Sequence, residues 1–332
     1  MPAARQPCGV LIKPHCVVVG GANIDLLGAP QKQLKQHTSN PGKVSSSPGG
    51  VGRNIAENLI RLGQSCQLMA PLGDDANGTF LRRHCQQLGI NTDGMATLAG
   101  ESTSTYLSIV DETGDMQVAI ADMTLIDQFG ATQLQAFLPQ LTAASMVVLD
   151  ANLAPDCLAF LVKNLPQQHF FVDTVSVTKA TRITPFLSHI HSLKPNLIEA
   201  QAISGVHLGE NPNSRQLLDL AHWFMHQGVK HLYLSLGSRG LLYSDASQSF
   251  IMAPSAPVKA THIVNSNGAG DAMMAAIGSA WLQGSDAQHA AASALACAQI
   301  AMASETTISP HLTPELLLRM LKETPCSITP LS

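Results

Sequence analysis

Asp271 closes the run Val264-Asn265-Ser266-Asn267-Gly268-Ala269-Gly270-Asp271, and the helix-forming stretch Ala272 to Ile277 follows at once. Gly268 and Gly270 let the backbone turn sharply at that helix entrance. The N–H groups of Gly268, Ala269 and Gly270 then converge where unpaired donors and the helix dipole favour an anion. A carboxylate in the same first turn can act on whatever the anion site holds. Phosphoryl transfer asks a protein chiefly for positioning and charge neutralisation, so an anion hole beside a carboxylate base is a minimal machine for it. Taken alone, such a run more often marks a helix start whose acid merely complements the dipole.

Four other clusters carry groups that such a transfer would use. In Leu193-Lys194-Pro195-Asn196-Leu197-Ile198-Glu199, Asn196 and Glu199 form either a capping pair or a polar face able to hold the water shell of Mg²⁺. Leu234-Ser235-Leu236-Gly237-Ser238-Arg239-Gly240 is a strand end running into a glycine turn, at the carboxyl edge where α/β sheets bind ligands. Gly20-Gly21-Ala22-Asn23-Ile24-Asp25 leaves a strand with Asn23 and Asp25 on one side of an extended backbone. An amide and a carboxylate so placed suit the vicinal hydroxyls of a sugar, and an Asn/Asp-rich turn is an equal alternative. Pro48-Gly49-Gly50-Val51-Gly52-Arg53-Asn54 invites a dinucleotide reading, but Ile55 stands where the last glycine of G-x-G-x-x-G belongs, and no P-loop motif occurs. The thirteen histidines show no metal-ligand spacing, and the Ala-rich stretch from Ala290 to Ala303 reads as a packed core helix.

The elements that must position these groups alternate in type. Cys16 to Val19 is an apolar run feeding Gly20-Gly21, the pattern of a buried strand and a glycine turn. A helical pattern runs through Asn54, Ile55, Asn58, Leu59 and Leu62 and stops at Gly63. A strand over 66–70 and a helix over 78–88 follow. Strand-like runs recur at 146–149, 170–173, 190–193 and 231–235 with helical stretches between them. This predicts a Rossmann-like, doubly wound, mostly parallel α/β sheet. Two segments break the alternation: a polar excursion over 28–48, and a hairpin in which Tyr106 to Val110 and Met116 to Ile120 flank the turn at 111–114. Together they predict a small β-sheet lid. The chain thus divides into an N-terminal tail (1–15), an α/β core (16–27, 49–100 and 123–325) and the lid (28–48 and 101–122). Asp150 and Asn152 leave a strand near the expected site, and the sequence does not choose between them.

Composition narrows the class. The chain has 332 residues, 45% of them hydrophobic, enough for a sizeable core. Only 13% are charged, the net charge is −4 and no basic run occurs, which argues against a nucleic-acid or membrane partner and for a small-molecule substrate. The seven cysteines are scattered without a C-x-x-C pair, which fits a reducing cytoplasm better than a disulfide framework or a zinc site.

In this order and combination the five clusters resemble the ribokinase-like (PfkB) carbohydrate kinases from about Val17 to residue 322. The resemblance implies that Asn23, Asp25, Gly49, Gly50 and Asn54 bind the sugar and that Asn196, Ser235, Gly237 and Gly240 serve ATP. It further implies that Glu199 holds Mg²⁺ through water, that Gly268, Ala269 and Gly270 form the anion hole, and that Asp271 is the base. Two positions depart from the family pattern: Asn265 stands where many relatives carry Asp, and Asn267 where they carry Thr or a small residue. They lie beside the loop that in some members binds a monovalent cation, so K⁺ is a candidate ligand through Asn265, which keeps an acceptor oxygen, and Asn267. Within the family, Ser39-Asn40-Pro41-Gly42-Lys43, Gly49 to Ala56, Ser104 to Ser108, Ala121-Asp122-Met123 and Gly270 to Ala275 are similar to the bacterial pseudouridine kinases. That likeness implies phosphorylation of a nucleoside 5′-hydroxyl. Arg53, whose fixed donors suit a base carbonyl, and the lid residue Lys43 are candidates to reach the base, a surface arginine in a helix's first turn being the alternative, and the lid is a candidate surface for a homodimer. Other nucleoside or sugar acceptors (uridine, adenosine, inosine, ribose) remain alternatives, as does a non-catalytic nucleoside sensor.

Overall fold

A computed structural model describes residues 15–255 and 264–332 of the chain, so all of the expected tail but His15 lies outside the described residues. Along the chain the strands are β1 (His15–Val19), β2 (Asn23–Pro30), β3 (Gly42–Gly49), β4 (Ser65–Gly73), β5 (Met95–Leu98), β6 (Thr105–Val110) and β7 (Met116–Asp122). They continue with β8 (Met146–Asp150), β9 (Phe170–Asp173), β10 (Ile190–Lys194), β11 (His231–Ser235), β12 (Leu241–Ser244), β13 (Ser249–Pro254) and β14 (Cys326–Leu331). The helices are α1 (Val51–Arg61), α2 (Ala76–Gln87), α3 (Ala131–Leu134), α4 (Leu138–Ala143), α5 (Pro155–Asn164) and α6 (Val177–Ala180). After them come α7 (Leu197–Ser204), α8 (Ser214–His226), α9 (Ala269–Leu282), α10 (Ala287–Met302) and α11 (Pro314–Glu323).

The apolar runs become the centre of a sheet of order β14-β13-β12-β11-β10-β9-β8-β1-β4-β5. Pairing is parallel from β5 through to β11 and antiparallel from β11 to β14. Such runs are apolar on both faces because helices cover both sides. Val18, Val148 and Phe171 pack toward α1, α9 and α10, while Val17, Val147 and Phe170 pack toward α5, α7 and α8. Each such fully buried side chain contributes about 1.5–3 kcal/mol. The sheet ends on β14, beyond the core boundary expected at residue 325, because Cys326 to Leu331 pair along the whole of β13.

The lid is a second sheet of order β3-β2-β6-β7. It begins at Asn23, earlier than the expected residue 28, because β2 carries a period-two pattern that continues from Ile24 and Leu26. Tyr106 faces Asp25 and Ala121, and Asp25 also faces Ser47, which gives the lid one largely polar side. Leu107 faces Leu26 and Ile120, and Gly28 stands between Val44 and Ile109, which gives the other side an apolar row. Val44, Met116, Val118 and Ile120 of that row are exposed.

Candidate active site

Four successive parallel strands end on a polar residue: Asp150 on β8, Asp173 on β9, Lys194 on β10 and Ser235 on β11. Asp150, Asp173 and Lys194 are register partners, so their side chains share one face of the sheet. It is the face packed by α1 and α9. Carboxyl ends of parallel strands are where open α/β sheets bind ligands.

Asp271 lies in the first turn of α9 with 8% of its surface exposed. Gly268 caps that helix at φ 79°, a left-handed conformation that other residues adopt at a cost, and a β-carbon there would strike the Thr307 carbonyl. The Asp271 carboxylate accepts a hydrogen bond from Asn54 Nδ2 at 2.7 Å. Burial, and next the charge of Asp173, push its pKa up to about 7, against the Asn54 hydrogen bond and the Lys194 charge that pull it down. A carboxylate poised near neutrality beside free helix-terminal N–H groups is equipped for general-base work.

The residues expected to hold a sugar converge on α1. Asn23 Nδ2 donates to Asp25 Oδ1 at 2.6 Å, and the Asp25 carboxylate lies in the space a β-carbon on Gly49 would fill. Burial raises the Asp25 pKa, opposed by the Asn23 hydrogen bond and the Arg53 charge. Gly50 takes φ 97°, and a β-carbon there would lie 2.5 Å from the Gly21 carbonyl.

Arg53 and Lys43, the two residues expected to reach the base, lie in different settings. Arg53 is buried and not a surface residue: it is 2% exposed, and its Nε donates to the Gly49 carbonyl at 3.1 Å. Its Nη1 pairs with Glu57 at 2.6 Å and its Nη2 donates to Asn54 Oδ1. Arg53 therefore orients Asn54, whose amide in turn meets Asp271. Lys43 is exposed on β3, six residues from Gly49, which is about 20 Å along an extended strand.

Asp150 was flagged by position but not by role. It is fully buried and accepts hydrogen bonds from the backbone N–H groups of Gly21 at 2.7 Å, Gly52 at 2.8 Å and Asn152 at 3.0 Å. The carboxylate thus ties the β1 exit to the start of α1. Burial pushes its pKa up to about 6 against the three N–H donors. Asn152 stands over Gly21, its Nδ2 3.5 Å from where a β-carbon would be.

On the opposite flank, Asn196 and Glu199 do form a capping box, each side chain bonded to the other's backbone N–H at 2.9 Å. Glu199 Oε2 also accepts the Thr174 hydroxyl at 2.5 Å, a contact the sequence did not suggest. Thr174 sits in a strained turn: Val175, β-branched, has φ 64°, a conformation costing on the order of 1–3 kcal/mol. Ser235 bridges to Asn196 through the backbone, and Gly237 and Gly240 form the turn beyond it, closed by Leu236 N–H to the Gly240 carbonyl at 2.8 Å. Asn265 Oδ1 accepts the Asn267 N–H at 2.9 Å, so that acceptor already serves its own loop. Among the described residues no three acidic, Cys or His side chains converge to hold a metal directly. The donors present fit Mg²⁺, which keeps several waters and leans on substrate phosphates: Glu199, and the buried Asp173, whose Oδ2 lies 3.0 Å from the Lys194 ammonium.

A buried carboxylate at a glycine-capped helix start, at the carboxyl edge of a doubly wound sheet, fits an ATP-dependent phosphotransferase with an alcohol acceptor, and the similarity of the chain to known kinases shows that class. The chain belongs to the pfkB family of carbohydrate kinases, whose profile matches residues 13–314. It is 37% identical to the pseudouridine kinase of Escherichia coli K12 over 95% of this chain and 98% of that protein. It is also 35% identical to an uncharacterized sugar kinase of the same organism, YeiI, over 92% of this chain and 83% of that protein. Among solved structures, a carbohydrate kinase from Agrobacterium tumefaciens superposes with a TM-score of 0.82 at 26% identity, covering 95% of this chain and 100% of the other. Ribokinase of Arabidopsis thaliana, complexed with ribose and ATP, shares the fold with a TM-score of 0.82 at 20% identity, covering 94% and 99%.

Proposed function

We propose that the chain transfers the γ-phosphoryl group of ATP to the 5′-hydroxyl of pseudouridine, giving pseudouridine 5′-phosphate. The likeness to a pseudouridine kinase along 95% of the chain is the observation that carries the choice of nucleoside. In this reading Asn23 and Asp25 grip the ribose hydroxyls, and Gly49 and Gly50 allow the sugar to approach the backbone. Asn54 touches both the sugar and the base Asp271. The acceptor oxygen attacks phosphorus as its proton passes to Asp271, and the N–H groups of Gly268, Ala269 and Gly270 stabilise the transferring group. Asn196, Ser235, Gly237 and Gly240 line the ATP flank. Magnesium, held through water by Glu199, would neutralise charge between the phosphates. The Asn265–Asn267 loop remains the candidate for K⁺.

Among the described residues the six cysteines are free, five of them buried, which suits a cytoplasmic enzyme, and no helix of those residues is long and apolar enough to cross a membrane. The exposed apolar row of the lid is the surface through which a homodimer would form. Replacing Val118 and Ile120 with lysine would then yield a monomer in sedimentation, and an unchanged state would refute that assembly.

The similarity to YeiI supports a second reading, a different sugar or nucleoside as acceptor. Rates of ATP-dependent phosphorylation across pseudouridine, uridine, adenosine, inosine and ribose decide between them. The highest kcat/KM belongs to pseudouridine in the first reading and to another acceptor in the second. Nucleoside binding without turnover would mean a sensor.

A further inference from the structure

Lys194 ends β10 with only 5% of its surface exposed. Its ammonium stands 3.0 Å from Asp173 Oδ2 and 3.1 Å from the point where a β-carbon on Gly270 would lie. Gly270 belongs to the anion-binding turn, so the amine borders that turn from the sheet side. The Asp173 carboxylate beside it is itself buried, so the ion pair is enclosed. A buried ammonium is retained only where opposite charge compensates its lost hydration. Here that charge is Asp173 on β9, which leaves the side of the amine toward Gly270 on α9 to face the glycine turn. Arg53, the buried cation on α1, is committed to Glu57, Asn54 and Gly49.

We infer that Lys194 is a catalytic residue of the transfer, its ammonium meeting the transferring phosphoryl group beside Gly270, with Asp173 as the positioning residue that holds the amine in place. As the bond from the acceptor oxygen to the γ-phosphorus forms and the bond from that phosphorus to ADP breaks, the acceptor proton goes to Asp271. Charge then spreads over the equatorial oxygens of the transferring group, and a preorganised cation there acts on the transition state more than on bound ATP. The ammonium is already fixed at that position by Asp173, 3.0 Å away, before ATP arrives. The inference rests on the kinase class of the site and not on which nucleoside is the acceptor.

The test uses the full chain with whichever acceptor the wild type turns over, and compares Asp173→Asn, Asp173→Asn/Lys194→Met and Lys194→Arg. The double variant removes both charges, which spares the fold an orphaned acid. Removing one such preorganised group costs about 10²–10³ in kcat, so the double variant should fall by that factor below Asp173→Asn. Its acceptor KM and its affinity for ADP should stay within about threefold, because the lost interaction belongs to the transition state. Aluminium fluoride added with ADP, Mg²⁺ and acceptor should tighten ADP binding in the wild type and in Lys194→Arg but not in the double variant. A double variant with the kcat of Asp173→Asn, or one that still tightens ADP with aluminium fluoride, would overturn the assignment. So would equal activity loss in Lys194→Arg and the double variant.

Discussion

The side-chain amide of Asn54 on α1 donates to the carboxylate of Asp271 on α9 at 2.7 Å, across a separation of 217 residues in the sequence. The contact joins the segment proposed to hold the sugar to the group proposed to take its proton. A hydrogen bond to the ionised form favours that form, and here it works against burial and the Asp173 charge. Asn54→Ala should therefore move the acid limb of kcat/KM to higher pH than in the wild type, where burial places the carboxyl at about 7. A pH–rate series on both proteins reads this, and coincident limbs would show that the amide does not tune Asp271.

Arg53 supplies a prediction opposite to a specificity role. Its guanidinium is spent on Gly49, Asn54 and Glu57, while Arg61 gives Glu57 a second partner at 2.7 Å. Arg53→Ala should cost about 1.5–3 kcal/mol, the worth of hydrogen bonds to charged groups, with Arg61 limiting the loss. It should leave the ratio of kcat/KM for pseudouridine and uridine unchanged. Denaturant midpoints and the two-substrate ratio check both halves, and a changed ratio at full stability would restore the base contact.

Glu199 separates two roles in one experiment. Its carboxylate accepts the Asn196 N–H and the Thr174 hydroxyl through Oε2, which leaves Oε1 for a metal-bound water. Glu199→Gln should raise the Mg²⁺ concentration at half-maximal rate more than the nucleoside KM. Superimposed magnesium titrations would reduce Glu199 to a helix cap, a contribution of about 1 kcal/mol to stability.

At the amino ends of β9, β10 and β11, opposite the site, His191 packs between His169, edge-on at 4.8 Å, and His231, tilted at 4.7 Å, with Trp281 at 5.5 Å. Burial, then His231 and His169, lower the His191 pKa to about 3, and burial also lowers that of His231 despite Asp245. The folded values lie below the unfolded 6.5, so the stability these rings contribute is complete above pH 6.5 and is lost as pH falls toward 3. The Tm should drop between pH 7.5 and 5 by the equivalent of up to about 2 kcal/mol, discounted for partial exposure. His191→Phe should flatten that drop, and parallel Tm curves would exclude the cluster as its cause.

Local pattern carried much of this fold and less of its site. Asp271, Gly268 and Gly270 were legible because a helix start needs a glycine turn and an acid there stands out. The Asn196–Glu199 box was legible for the same local reason. The burial of Arg53 was not legible because it depends on Glu57, one helical turn on, and on Gly49 folding back, and an arginine in a first turn usually faces water. Lys194 gave no signal, since a single lysine at a strand end acquires meaning only when Asp173 and Gly270 are brought to it from β9 and α9. Asp150 was visible as a strand exit, but its three N–H donors come from Gly21, Gly52 and Asn152, which only the parallel pairing of β1 and β8 brings together.

The account stands most directly on Asp271 as the base. Single-turnover phosphorylation of pseudouridine by ATP, measured for the wild type and for Asp271→Asn at matched nucleoside and ATP occupancy, isolates that role. The account predicts unchanged binding of both substrates and a rate lower by about 10²–10⁴, the usual worth of a general base. A rate near that of the wild type, with both substrates bound, would contradict it.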